Sequence, residues 1–274
     1  MQTLFNLFGT SVDTKLPKRF SVILSLLLFF AIIAGYLMVS QLRHIDNPDD
    51  KIVPSAIQLL HGIQVSVSPD RNGEIPILID TIASLQRFFL GVAIASLFAI
   101  LFGISMGVFP IIEAFFLRFM LYLGKIPPLA LLPMIFIFSG LGESTKVILI
   151  IVGITPAIML DTYFGVKKIP QEQLVKVLTL GASRMEVLFC VVLPQILPSA
   201  LTAVRLNLLP AWLFLIAGEA IAANAGLGYR IFLVRRYLAM DTIIPYVFWI
   251  ASLAFLVDFL LSWWVKHKYS WYGK

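Results

Sequence analysis

Six of the ionisable side chains within the long apolar stretches of the sequence, where little water is available to solvate a charge, are weighed as functional candidates. They are Arg87, Lys125, Asp161, Arg205, Glu219 and Asp258. A charge in apolar surroundings is costly unless it is paired, hydrated or neutralised. The chemistry open to these residues is therefore ion pairing, or contact with a charged solute in a hydrated pathway.

Lys125 is the first candidate for such a pathway, because it directly precedes Ile126, Pro127 and Pro128. Proline removes backbone donors and breaks a helix, and irregular backbone at membrane depth is found where it lines a cavity. A structural role is equally open. Lys125 could pair with Asp161 or Glu113, or extend to lipid headgroups.

The other charges have both structural and functional interpretations. Arg205 and Asp258 are expected to form a structural ion pair, and Arg87 to reach the headgroups. Asp161 lies near a helix end and could simply be hydrated. Glu219 fits either a gate or a hydrated interfacial carboxylate. The pathway set predicted from these positions is Lys125, Pro127, Pro128, Asp161, Arg205 and Glu219.

The composition of the 274-residue chain excludes a water-soluble globule. Hydrophobic residues make up 59% of it and charged residues only 13%, against about 25% charged in an ordinary soluble domain. One cysteine and three scattered histidines indicate neither a disulfide framework nor a metal site. The net charge of +6 does not indicate nucleic-acid binding, since excess lysine and arginine in a membrane protein mark cytoplasmic loops.

Six apolar segments are each long enough to cross a bilayer as a helix, which predicts an all-α membrane protein. The segments are 20–42, 78–108, 114–138, 145–166, 195–222 and 243–265. Their many glycines and prolines fit a packed bundle of bent helices. The first segment is longer than the apolar part of a signal peptide and lacks a cleavage pattern, so it is expected to remain as an anchor.

The distribution of lysine and arginine predicts that both termini are cytoplasmic. This places residues 1–19, 167–194 and 266–274 inside, and 43–77 and 223–242 on the periplasmic side. Ten basic residues then lie inside and six outside. The 223–242 loop is the exception, because its three arginines lie on the side that the rule disfavours. In the 43–77 loop, residues 52–65 fit a short surface helix.

The cytoplasmic segment 170–194 has apolar residues at mostly three- and four-residue steps, interrupted by Gly181, Ala182 and Ser183. This pattern predicts two short amphipathic helices joined at a glycine. From periodicity alone, the segment is either a helix pair in the membrane interface or a docking element for a soluble partner.

The same segment resembles the conserved loop of a known transporter family. Gly181 is followed after nine residues by Val191, Val192, Leu193 and Pro194, which is similar to the G-x9-I-x-L-P core of the EAA loop of ATP-binding-cassette (ABC) importer permeases. Residues 78–265, including KIPPLALLPMIFIFSGLGES, resemble the nitrate, sulfonate, taurine and bicarbonate branch. The resemblance implies a type I importer fold and docking of this loop to an ATPase.

The triplet that names the loop departs from the family pattern. Val175, Lys176 and Val177 replace its acidic residue and two alanines, and Glu172 is the candidate substitute for the acidic contact. The coupling residues implied by the resemblance are Glu172, Val175, Lys176, Val177, Gly181, Ala182, Ser183, Leu193 and Pro194. Proline at the end of the loop is expected to start the next helix.

The resemblance also implies the partners. The chain has no Walker sequence, so it is expected to have no cofactor and no enzymatic activity, with ATP and Mg bound by separate ABC ATPase subunits. The expected partners are a periplasmic or lipid-anchored substrate-binding protein and a second copy of the permease. The chain itself is expected in the bacterial inner membrane. The implied cargo is nitrate, bicarbonate, taurine or an alkanesulfonate. The alternative cargo is a thiamine-precursor pyrimidine or another small solute. The alternative functions for the chain are a secondary transporter and an intramembrane enzyme.

Overall fold

A computed structural model describes residues 18–47, 50–70 and 73–272 of the chain. Its helices are α1 (Lys18–Asp46), α2 (Ala56–Val67), α3 (Pro76–Val108), α4 (Pro110–Leu123), α5 (Leu132–Ser139), α6 (Glu143–Lys167), α7 (Gln171–Thr179), α8 (Leu193–Leu206), α9 (Leu208–Ala222), α10 (Leu227–Val234) and α11 (Met240–Lys268). The all-α prediction is confirmed. Most of the predicted N-terminal segment 1–19 lies outside the described residues.

Among the residues that the structure describes, five helical spans are long and apolar enough to cross a membrane, and a bent pair of helices is the sixth if it crosses as one span. That pair is α4 and the stretch Pro128–Ser139, which meet at 87°. The predicted segment 114–138 is therefore not one straight helix. Pro127 and Pro128 explain the break, because each lacks the backbone donor that would continue the helical hydrogen-bond ladder.

The core lies between α3, α6 and α9. Ile150, Ile154 and Ile158 of α6 are buried at four-residue intervals, which places them on one face of that helix. Phe88 of α3 stacks on Trp212 of α9 with ring centroids 4.4 Å apart. These side chains belong to one hydrophobic cluster that packs the three helices against one another, beside the polar groups described below.

The first span, α1, contributes little to this core, since none of its most apolar window is buried. It is tied to the rest of the chain near its C-terminal end. Arg43 pairs with Asp50 at 2.5 Å, and Tyr36 donates a hydrogen bond to the Pro54 carbonyl at 2.8 Å. The Ile52 backbone amide and the Arg43 guanidinium lower the pKa of Asp50.

The predicted surface helix in the 43–77 loop is present as α2. Ser55 and Gln58 form a reciprocal capping box at its start, which satisfies two otherwise unpaired backbone donors. The helix packs against the start of α11, where Gly62 faces the Asp241 carbonyl. It therefore lies across the bundle end rather than spanning the membrane.

Candidate translocation cavity and coupling loop

The break between α4 and α5 opens a cavity of about 490 Å³. Lys125 and Pro128 line it from the break, while Pro156 and Asp161 line it from α6. A Cβ atom added at neighbouring Gly124 would lie 3.7 Å from Pro156, so the break is level with the middle of α6. The charged residue that the sequence singled out thus lines a cavity at mid-depth in the bundle.

Lys125 has neither of the ion-pair partners considered for it. Glu113 instead accepts from Lys167 Nζ at 2.6 Å and from the Tyr163 hydroxyl at 2.6 Å. None of the ion pairs formed by the described residues involves Lys125 or Asp161, although both side chains are exposed on the cavity wall. The Lys125 ammonium is therefore available to a solute.

The predicted pair of Arg205 and Asp258 is confirmed. Arg205 Nε lies 3.0 Å from Asp258 Oδ1, and its Nη1 donates to Ser262 Oγ at 3.2 Å. The pair links α8 to α11, with both side chains partly exposed. This contact gives Arg205 a structural role, and its place on a pathway stays a prediction.

Glu219 is fully buried and lies at the centre of a hydrogen-bonded network at one end of the bundle, here named the Glu219 end. Its carboxylate accepts from Arg87 Nη1 at 2.6 Å, from Ser84 Oγ at 2.8 Å and from the Gly228 amide at 2.8 Å. The expectation that Arg87 reaches the headgroups is wrong, because its guanidinium is held inside the protein by Glu219 and by Glu143.

A second buried carboxylate, that of Asp80, binds the chain segment that contains Gly226 and Gly228. Asp80 accepts from the Gly226 amide at 2.9 Å, from Arg230 Nε at 2.8 Å and from the Tyr246 hydroxyl at 3.1 Å. Sequence reasoning missed this cluster. A signal for it was present in the sequence. Asp80 near the start of α3 and Arg230 in the 223–242 loop carry opposite charges and were predicted to lie at the same side of the membrane.

Replacing Gly226 with alanine is expected to destabilise the protein by about 1–3 kcal/mol. Its φ of +136° disfavours a side chain, and a Cβ atom would lie 2.5 Å from Glu219 Oε1 and 2.8 Å from Arg87 Nη1. Thermal unfolding of the purified full chain measures the effect. Gly35→Ala is the control, since nothing lies within 4 Å of a Cβ there. Equal melting temperatures for the two variants would contradict the packing described here.

The predicted coupling loop lies at the opposite end of the bundle, here named the Gly181 end. Helix α7 ends at Thr179, and Gly181 turns the chain with φ of +90°, as the sequence predicts for a sharp turn. The Ser183 amide then donates to Glu186 at 2.7 Å, and this contact, with the Ser183 hydroxyl, lowers the pKa of Glu186. The turn is therefore fixed by local hydrogen bonds.

The loop has one packed face and one exposed apolar face. Leu174, Val177, Ala182 and Leu193 pack on the core formed by Val166, Ile169, Val187, Val192 and Ile196. The exposed apolar residues are Val175, Leu178, Leu180, Met185 and Phe189, with Leu180 87% exposed. Among the predicted coupling residues, Glu172, Lys176, Ser183 and Pro194 are also exposed.

The second half of this loop differs from the prediction. A helical stretch begins at Arg184 and passes through a π-helical turn, Val187–Val192, directly into α8. Pro194 is the second residue of α8, as the sequence predicts for a helix start, but the helical run before it continues into α8 without a break. The Leu193 amide bonds to the Leu188 carbonyl five residues back, and this wider turn accommodates the proline, which has no amide hydrogen to donate.

Comparison with known proteins gives consistent matches. The family described as "Binding-protein-dependent transport system inner membrane component" matches residues 76–268. The taurine transport system permease protein TauC of Escherichia coli is 36% identical over 192 residues, which is 70% of each chain. The bicarbonate transport system permease protein CmpB of Synechococcus elongatus is 29% identical over 67% of this chain and 66% of its own.

A solved structure shares the fold. The inward-facing MetNI methionine ABC transporter superposes with a TM-score of 0.58 at 20% identity, covering 68% of this chain and 92% of that one. The family match, residues 76–268, contains the cavity, the polar network of the Glu219 end and the loop around Gly181. Helices α1 and α2 lie outside it.

Proposed function

Because the chain belongs to the family of binding-protein-dependent transport system inner membrane components, we propose that it is the membrane-spanning subunit of an ATP-driven importer. It is a multi-pass protein of the bacterial inner membrane. The observation that carries the proposal is the exposed apolar face of the loop around Gly181, in a chain of this family.

In this proposal, the loop around Gly181 couples ATP hydrolysis to transport. An amphipathic helix whose apolar side chains face outward fits a hydrophobic groove on a partner. Val175, Leu178 and Leu180 provide such a face on α7 and the turn, and Met185 and Phe189 extend it. The partner is a separate ABC ATPase that binds ATP and Mg, and docking transmits its movement to α6.

The cargo is a small anion. Relatives of the chain are named for taurine, aliphatic sulfonate and bicarbonate transport, and all three solutes carry a negatively charged oxygen group. The unpaired Lys125 ammonium in the mid-depth cavity is suited to such a group. A neutral pyrimidine, the alternative cargo, has no need of a fixed positive charge there.

The remaining partners are a substrate-binding protein and a second copy of this chain. In this proposal the second copy faces the cavity and adds its own Lys125 side chain to the wall. Paired positive charges would favour oxyanions and repel inorganic cations. A mixed pair with a related permease is the alternative, and crosslinking of the purified complex distinguishes the two.

The proposed topology places the Glu219 end outside and the Gly181 end in the cytoplasm. The arginines of the 223–242 loop are partly accounted for, since Arg230 pairs with buried Asp80 and Arg235 lies 5.0 Å from the Phe232 ring. Those contacts compensate for a placement that the charge rule disfavours.

Cysteine labelling tests that topology. In a Cys190→Ser background, a membrane-impermeant maleimide is expected to label Glu74→Cys on intact spheroplasts and to leave Gln171→Cys unlabelled. Both positions are exposed in the structure, so the protein itself shields neither from the reagent. Labelling of Gln171→Cys alone would reverse the orientation.

Uptake in a deletion strain tests the function itself. Cells lacking this chain are expected to lose high-affinity uptake of one member of a panel of labelled taurine, methanesulfonate, bicarbonate and nitrate, and plasmid-borne wild type restores it. The lost uptake should depend on the ATPase gene as well. Loss of a neutral or cationic solute alone, with the whole panel unaffected, would contradict an anion importer.

A further inference from the structure

Two buried cations at the Glu219 end share one carboxylate. Glu143, the first residue of α6, accepts from Arg87 Nε through Oε2 and contacts Lys146 Nζ at 2.6 Å through Oε1. Each oxygen of the carboxylate therefore serves a different cation. The two cations come from different helices, α3 and α6.

The three residues differ sharply in exposure. The Lys146 side chain is 1% exposed and that of Arg87 is 9%, whereas the Glu143 side chain is 64% exposed. Both cations therefore have little contact with water in this arrangement. Glu143 has much more, because residues 140–144 are all exposed around the start of α6. The carboxylate is thus the one exchangeable member of the cluster.

The charge balance depends on that exchangeable group. Glu219 neutralises Arg87 and is itself held by Ser84 and Gly228. Lys146 has Glu143 as its ion-pair partner among the described residues. If Glu143 rotates into water, Lys146 becomes a buried, uncompensated charge, which is a strongly unfavourable state. Another anion with two free oxygens would relieve it.

We propose that Arg87 and Lys146 form an oxyanion site, distinct from the Lys125 cavity, at which the transported anion exchanges with the Glu143 carboxylate. The ligand class is a small monovalent sulfonate or carboxylate. This assignment of the ligand as cargo rests on the proposed function. The anion reaches the site through the exposed residues around Glu143, at the Glu219 end of the bundle. When the anion leaves, the Glu143 carboxylate again neutralises the charge of Lys146.

Thermal unfolding of the full-length chain in lipid nanodiscs tests the site, with sodium methanesulfonate as the probe and sodium chloride at equal ionic strength as the reference. Glu143→Gln keeps the side-chain shape while removing the competing charge. Its melting temperature is expected to rise by about 5 °C at saturating methanesulfonate, and that of wild type by much less.

Two variants separate a specific site from a general salt effect. Glu113→Gln also removes a carboxylate from a lysine, but Lys167 is 43% exposed and already solvated, so no methanesulfonate response is expected. Adding Lys146→Met to Glu143→Gln should abolish the response, because one of the two cations is lost. If Glu143→Gln does not yield folded protein, Glu143→Asp replaces it, and its response should exceed that of wild type.

Equal responses of Glu143→Gln and Glu113→Gln would overturn the proposal, and so would a response that survives Lys146→Met. For Glu143→Asp, a response no larger than that of wild type would do the same. These measurements do not depend on which solute is carried. Uptake of a solute that has no negatively charged oxygen group would overturn the proposed function, whereas an unresponsive Glu143 variant would overturn only the exchange site.

Discussion

Gly181→Val is expected to abolish substrate-stimulated ATP hydrolysis while the subunit still inserts into the membrane. Gly181 has φ of +90°, and nothing lies within 4 Å of a Cβ atom built there. The effect is therefore one of backbone conformation alone. A β-branched residue is strained at this φ by about 1–3 kcal/mol, which is enough to redirect the turn between α7 and Arg184.

The measurement is ATPase activity of the purified importer in proteoliposomes, with and without the binding protein and its solute. Gly35→Val is the matched control, since Gly35 is also uncrowded but lies within the helix α1 with an ordinary φ. We expect the control to keep full stimulation. Normal stimulation in Gly181→Val would show that the turn is unimportant for coupling and that the loop is merely interfacial.

Lys125→Met is expected to reduce anion uptake at least tenfold with unchanged membrane expression. The substitution keeps the length and apolar volume of the side chain and removes the charge from the cavity wall. A single charge-assisted contact contributes about 1.5–3 kcal/mol, which corresponds to roughly tenfold or more in affinity. Lys125→Arg keeps the charge and should retain part of the uptake.

Lys266→Met provides the matched control, because it removes a lysine that is also exposed but lies near the end of α11, away from the cavity. Its uptake should equal that of wild type. Uptake by Lys125→Met equal to that of Lys266→Met would contradict a role of Lys125 in the pathway. It would leave the lysine with a surface function, such as contact with headgroups.

The five long spans could be predicted from hydropathy because each crossing requires a long apolar run, and the sixth predicted segment is the bent pair of helices. The break at Lys125 could also be predicted, since Pro127 and Pro128 cannot continue a helix. The angle of 87° could not, because it depends on how α5 packs against α6. The helical continuity from Arg184 through Pro194 was missed for a related reason, since a π-helical turn has no simple sequence pattern.

The polar network shows where single-residue reasoning fails. Arg87 taken alone has a plausible route to the headgroups, and Lys146 at a helix edge attracts no attention. Their burial follows from the approach of α3, α6 and α9, which brings Glu143 and Glu219 to them. Arg205 and Asp258 were predictable as a pair because both lie deep in apolar segments with no other opposite charge nearby.

Helix α6 connects the parts that the proposed function requires. It is one continuous helix of 25 residues, about 37 Å long at 1.5 Å per residue. Lys146 lies near its start, Pro156 at its middle and Asp161 beyond the middle line the cavity, and Lys167 ends it just before the coupling loop. A displacement of the loop would therefore act on the cavity wall through a single packed element.

The most direct test of the account is transport by the reconstituted importer. The full chain, its ATPase and its binding protein are placed in proteoliposomes, with ATP inside or absent and with ion gradients collapsed by ionophores. We expect a small oxyanion from the uptake panel to accumulate against its gradient only when ATP is present. Accumulation that needs an ion gradient and proceeds without ATP would contradict this expectation, because the chain would then be a secondary transporter.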